Sequence, residues 1–151
     1  MTRPVADVGY SGTPLPKKLG FKAGQSVAFV GLPPELAGLA QAEAFGGVEQ
    51  AGEAAELGPT GPHDVIVAFY AKAHDLQNGM SCLKAVVKPA GMIWIGWPKK
   101  ASKVLTDVTE DRVREATLER GLVDVKVCAI SEVWSGLKLV IPVSQRGERQ
   151  V

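Results

Sequence analysis

Two basic clusters are the side chains of this sequence best placed to do chemistry. Lys17-Lys18, with Lys22 close behind, lies near the N-terminus; Lys99-Lys100, with Lys103, follows Trp97-Pro98. Adjacent ammonium groups attract anions, and Thr106 and Thr109 add hydroxyl donors downstream. Tyr10, Trp97 and Trp134 neighbour turn-forming segments. An aromatic beside a turn either folds back over the core edge or lines a pocket. The expectation is that Lys17, Lys18, Trp97, Lys99, Lys100, Thr106 and Trp134 converge on one surface that binds a small anion or a nucleotide-like ligand. Lysine pairs on opposite faces would refute it. The competing reading is that neighbouring lysines in loops are simply solvated.

Other reactive residue types are scattered. His63 and His74 flank one apolar run and read as solvated loop residues. Cys82 falls at the edge of a helix's apolar face and Cys128 on a polar strand face, so both read as packing cysteines. Two His and two Cys so placed hold no metal-ligand spacing, and no metal is expected. The serines include no nucleophile-elbow pattern, and no Walker motif is present.

The elements that must position these groups follow from apolar patterning. The chain has 151 residues, 46% hydrophobic and 22% charged, which fits one globular domain over 1–151 and excludes wholesale disorder. The formal net charge of +1 supplies no global attraction to nucleic acid or to an anionic membrane, so neither is an expected partner. No apolar run approaches the roughly 20 residues that span a bilayer, and the polar N-terminus does not read as a signal peptide. With only two cysteines, a cytoplasmic protein without a disulfide framework is expected.

Residues 1–22 form a turn-rich lead-in or short helix. Continuous apolar runs at 26–30, 65–70 and 92–97 predict strands buried on both faces. Pro34 opens a helix through 40. The stretch 31–62 holds seven Gly, four Pro and seven Ala, with five Glu and no Lys or Arg, so it can bury little surface; a short strand near Val48 is the most it suggests. A helix with Asp75 as N-cap carries Leu76, Met80, Leu83 and Val87 on one face and is stopped by Pro89-Ala90-Gly91. Thr109 caps a further helix ending at Arg120-Gly121, with Val108 and Val113 as a hydrophobic staple. Alternation at 123–128 and 137–143, joined by a turn over 131–136, predicts an antiparallel hairpin, and 144–151 is a polar tail.

Helices between buried strands predict right-handed parallel crossovers. The fold class is therefore α/β: a Rossmann-like, doubly wound, mostly parallel sheet with a C-terminal antiparallel hairpin. That order resembles a reduced class I methyltransferase fold, as does the helix end and Pro-Gly turn over 83–91. In such a fold, S-adenosylmethionine would sit beside glycines after the first strand and an acid at the end of the second. Gly31 and Glu49 are the matching residues, and a divergent S-adenosylmethionine-dependent methyltransferase is the alternative function. Departures are plain: one glycine where several are usual, Pro33-Pro34 removing backbone donors, and no acidic or amide motif directly after Tyr70.

Three blocks carry a family resemblance: residues 9–20, Gly9-Tyr10-Ser11-Gly12-Thr13-Pro14-Leu15 with Lys17-Lys18-Leu19-Gly20; Trp97-Pro98-Lys99-Lys100-Ala101-Ser102; and residues 106–138, with Gly121-Leu122-Val123-Asp124 and Trp134-Ser135-Gly136-Leu137-Lys138. With them the chain resembles the bacterial domain-of-unknown-function family numbered 3052, while 32–62 carries none of the likeness. The resemblance implies a small Rossmann-like protein and no established activity, cofactor or catalytic residue. The expected role is non-catalytic binding of a small anionic ligand or of a protein partner. A protein-interaction module, ordered through the Glu-rich middle, and a homodimer through the hairpin edge are the remaining expectations.

Overall fold

In a computed structural model of the chain, the structure describes residues 14–57 and 62–146. Six strands form one sheet: β1 (Ser26–Val30), β2 (Gly47–Ala51), β3 (His63–Phe69), β4 (Val87–Pro98), β5 (Val123–Ala129) and β6 (Trp134–Val140). Their order is β2-β1-β3-β4-β6-β5, with the first three pairings parallel and the last two antiparallel. The doubly wound sheet and terminal hairpin are thus as expected.

Both faces are covered, which is why β1, β3 and β4 read as unbroken apolar runs. On one face, Ala28, Ile66, Ile93 and Leu137 pack beneath α2 (Ala73–Val86) and α3 (Glu110–Glu119), through Leu76, Met80, Leu83 and Val113. On the other face, Val27, Phe29, Val67 and Trp94 pack beneath Leu19 and Phe21, which follow the short α1 (Leu15–Lys18), and beneath Leu39 of a 3₁₀ helix (Pro34–Gln41). Burying each such apolar side chain contributes about 1.5–3 kcal/mol. Trp94 is fully buried, and its indole Nε1 donates to Leu19 O at 3.0 Å, which ties the α1 segment across the sheet.

Several boundaries differ from the sequence reading. The segment after β1 is a 3₁₀ helix over Pro34–Gln41 that buries Leu39 and Ala40. Val48 lies in β2 as expected. Asp75 does not cap α2: the helix begins at Ala73, whose N–H donates to Asp107 Oδ1 at 2.7 Å, a cap supplied from a distant loop. Val87 leaves the helix and starts β4, and Pro89-Ala90-Gly91 lies inside that strand as an irregular excursion. There β3 advances from His63 to Val65 while β4 advances from Val87 to Met92. Gly91 permits the excursion, since a Cβ would come within 2.8 Å of Asp64 O. Thr109 does cap α3, its Oγ1 accepting from Arg112 N at 3.2 Å. Trp134 opens β6 rather than sitting in the turn, because the Ser131 hydroxyl accepts from Val133 N and Trp134 N and closes the reversal earlier.

The hairpin edge is β5, which is exposed along Val123, Val125 and Val127 rather than half-buried. A bulge between Asp124 and Lys126 interrupts its alternation. Bulges and edge lysines are devices that discourage pairing with another strand. Arg114 of α3 bridges Glu110 and Asp124 and pins this edge to the helical layer. The lead-in lies largely outside the described residues, Tyr10 included; its described end holds α1. The tail begins with one helical turn, α4 (Val143–Arg146), and its remainder also lies outside them.

Candidate functional site

The chain leaves β1 on the face of the 3₁₀ helix and leaves β3 on the face of α2. Neighbouring strands that send their connections to opposite faces open a crevice beyond their carboxyl ends, which is where open α/β sheets bind ligands. Gly31 sits at that point. Its φ of 64° is left-handed, its N–H donates to Ala51 O at 2.8 Å, and a Cβ would approach Phe69 O to 3.1 Å. Glycine is therefore needed for the backbone to turn off β1 between its two neighbours.

Beside this turn lies a cavity of about 460 Å³, within the usual range for small-molecule sites. Glu53, just past β2, forms one wall. Its side chain accepts from the N–H of Glu56 and the Glu56 side chain accepts in return, so the short 3₁₀ turn Ala54–Glu56 is held rigid. Tyr70 and Lys72, leaving β3, form one rim, and Asp75, Asn78 and Gly79 of α2 line the rest of a cavity that stays half open to solvent. Thr106 locks the same rim from behind: its hydroxyl donates to Ala71 O at 2.6 Å and accepts from Val108 N.

Tyr70 is the unusual group. It is 7% exposed, and its hydroxyl has no hydrogen-bond partner among the described residues. The hydroxyl abuts Gly79, where a Cβ would lie 2.3 Å from it, so glycine at 79 makes the room it occupies. Burial, and then the charges of Cys82 and Asp75, push the phenol's titration well above the ordinary tyrosine range.

The residues singled out in the sequence are dispersed around this site. Gly31 is where it was expected. Glu49 is not: it lies mid-strand opposite Ala28, and its Oε1 is 3.1 Å from His63 Nε2, so the first acid past the strand end is Glu53. Lys99 and Lys100 stand beyond β4, where Lys99 N donates to Val133 O, and they share the carboxyl end with Thr106. Neither forms a wall of the cavity. Lys17 and Lys18 belong to α1, whose following Leu19 packs on the other face, and Lys18 lies near enough to Cys128 to draw its titration down against the larger upward push of burial. Trp97 is buried under the α2–α3 layer. Trp134 packs on the opposite face, edge-on to Phe69 with ring centroids 5.2 Å apart, and its Nε1 donates to Glu35. The seven residues therefore do not form a single cluster. Cys82 and Cys128 pack against different clusters on the two faces, as packing cysteines do. His63 is buried rather than solvated.

Sequence reasoning missed Glu53, Tyr70, Asp75, Asn78 and Gly79 as one set. The available signal was the polar Asp75-x-x-Asn78-Gly79 spacing one turn into α2, next to a tyrosine ending an apolar run. Among the described residues no group of three or more His, Cys, Asp or Glu side chains could hold a metal ion, and no helix is long and apolar enough to cross a membrane.

The strand order and the crevice define a Rossmann-like domain of the class I methyltransferase fold. Solved structures agree. A SAM-dependent methyltransferase from Aquifex aeolicus matches with a TM-score of 0.64 at 17% identity, over 83% of this chain and 87% of that one. Magnesium protoporphyrin IX methyltransferase from Synechocystis PCC 6803 with bound SAH matches at 0.60 and 14%, over 80% and 75%. The B. subtilis M1A22 tRNA methyltransferase matches at 0.57 and 10%, over 91% and 68%. At these identities the likeness concerns the fold. The chain itself belongs to the family described as protein of unknown function (DUF3052), whose profile matches residues 34–143. That span takes in the middle segment, where the sequence reading found no likeness, and leaves out residues 9–20, where it found one. No curated protein matches the sequence.

Proposed function

We propose that the protein binds an adenosyl nucleoside of the S-adenosylmethionine type in the switch-point cavity, as a ligand-binding module. The observation that carries this reading is the half-open cavity beside Gly31, lined by Glu53, Tyr70, Lys72 and Asp75 at the carboxyl ends of the strands. Wall chemistry supports the ligand class. Glu53 can accept from ribose hydroxyls, Asp75 suits an ammonium or sulfonium, and Lys72 suits a carboxylate. A polyphosphate would face two carboxylates against one lysine. That Lys99 and Lys100 are not walls weighs against the simple-anion reading, and free cysteines on opposite faces suit a cytoplasmic protein.

Thermal unfolding with S-adenosylmethionine, S-adenosylhomocysteine, ATP and inorganic phosphate tests it. An adenosyl compound at ~100 times its dissociation constant adds about 2.7 kcal/mol, which moves the melt by roughly 5–10 °C for a domain of this size. Ala55→Trp, placed on an exposed wall residue, should abolish the shift without lowering the melt of the free protein. A shift only with phosphates, or one that survives Ala55→Trp, overturns the reading.

A further inference from the structure

At the amino end of the sheet, away from the switch-point cavity, three strands each contribute one side chain to a line of hydrogen bonds. Ser26 opens β1, Glu49 sits within β2 and His63 opens β3. Ser26 Oγ lies 2.8 Å from His63 Nδ1, and His63 Nε2 lies 3.1 Å from Glu49 Oε1. A carboxylate only accepts, so Nε2–H donates to Glu49 and Nδ1 is left to accept the Ser26 hydroxyl proton. Hydroxyl, imidazole and carboxylate in that order are the parts that activate an oxygen nucleophile, whichever ring nitrogen faces the hydroxyl.

The surroundings keep these parts fixed and the hydroxyl approachable. The imidazole is 1% exposed, so it has few alternative positions. Ser26 N–H donates to Asp64 Oδ2 at 2.9 Å, and Asp64 Oδ1 holds Lys88 at 3.1 Å, which fixes the serine backbone. A second cavity, of about 430 Å³, is lined by Gly24, Ser26, Gly46, Gly47, Val48 and His63. A Cβ on Gly47 would stand 4.0 Å from Ser26 Oγ, so glycine leaves the space over the hydroxyl open. The backbone donors nearby are engaged: Gly24 N–H with Ala44 O, and Gly46 N–H with Gln25 O. An oxyanion donor is worth about 10²–10³ in rate, so a serine nucleophile without one would be restricted to already activated donors and would not attack amides.

We infer that Ser26 is an acyl-acceptor nucleophile for small activated esters, with His63 as its general base and Glu49 as the positioning carboxylate. The Ser26 Oγ lone pair attacks the acyl carbon while its proton passes to His63 Nδ1. The tetrahedral adduct then expels the alcohol or phenol oxygen, which takes that proton back from Nδ1. One acyl–O bond forms, one breaks, and nothing is oxidised or reduced. Glycine walls leave room for a short acyl chain.

The test uses the full chain and p-nitrophenyl acetate, read by nitrophenolate release, intact mass and peptide mapping. One acetyl group per chain, on Ser26, is expected, and none on Ser26→Ala. His63→Gln should slow acetylation by about 10²-fold or more, the usual contribution of a general base. Glu49→Gln should lower the acylation rate constant while leaving the half-saturating ester concentration unchanged. Because His63→Gln touches a buried group, Gly47→Val is the companion variant: valine suits a strand, spares all three polar side chains and closes the approach to the hydroxyl. It should melt no lower than the parent and acetylate far more slowly. Acetylation confined to lysines, or Ser26 acetylation at the parental rate in Gly47→Val, overturns the inference.

Discussion

Replacing Tyr70 with phenylalanine removes one oxygen and leaves the ring in place, and the structure sets the sign of the result. The hydroxyl is buried, meets no hydrogen-bond partner among the described residues, and is pressed against Gly79. Leaving a buried hydroxyl unpaired costs about 1–3 kcal/mol in proteins, and loss of its packing contacts offsets part of that gain. Tyr70→Phe should therefore stabilise the free protein by about 1–2 kcal/mol, against the usual direction of core substitutions. At roughly 2–4 °C per kcal/mol for a chain of this length, the melt should rise by roughly 2–8 °C. An alkaline series gives a second reading of the same group. The folded phenol titrates well above the ordinary range, chiefly from burial, while the unfolded one titrates near ~10. Its contribution is fully present below the unfolded value and is lost as pH rises through the folded one, at about 1.4 kcal/mol per pH unit. Tyr70→Phe lacks this loss, so its advantage should widen above pH ~10. Calorimetric or circular-dichroism melts across neutral and alkaline pH suffice. A Phe variant that melts below the parent at neutral pH would show that the hydroxyl is satisfied and would refute the reasoning.

Other substitutions test the frame that holds the cavity. Asp107→Ala removes the side-chain acceptor of Ala73 N–H, and Thr109→Ala removes that of Arg112 N–H; each should cost about 1 kcal/mol in urea unfolding. Only the Asp107 variant should also weaken ligand-induced stabilisation, because α2 carries the cavity wall. Gly136→Ala places a Cβ 2.7 Å from the Ile130 side chain and should destabilise by about 1–3 kcal/mol, read as a lower denaturation midpoint. Lys99→Gln with Lys100→Gln should leave any adenosyl-induced shift in melting unchanged, and its loss would bring the basic turn back into the binding site.

Much of the fold was legible because double burial forces a recognisable pattern. The strands at β1, β3 and β4 had to be continuous apolar runs, and the Thr109 cap and Gly121 stop had to flank a helix. Even the short strand at Val48 was visible, although its segment is poor in large side chains. What could not be read depended on partners distant in sequence. Asp107 begins α2 from a loop 34 residues away, so the local candidate Asp75 was freed to line a cavity. The exposed face of β5 and its bulge follow from its place at the end of the strand order, which the alternation of Val123, Val125 and Val127 does not encode.

The site shows the same division. Gly31 follows from a glycine at the end of a buried strand, and that much the sequence determined alone, together with the Rossmann-like order of elements. Only tertiary structure decided that Glu49 belongs to His63 and not to the carboxyl end, because parallel register and not composition fixes which residue reaches the end of β2. Only tertiary structure placed Tyr70 against Gly79, since the strand and the helix that meet there are joined by a turn whose direction local sequence leaves open. A strand's apolar pattern states that it will be buried; the neighbours it is buried against, and so the chemistry they enclose, are set by the sheet order as a whole.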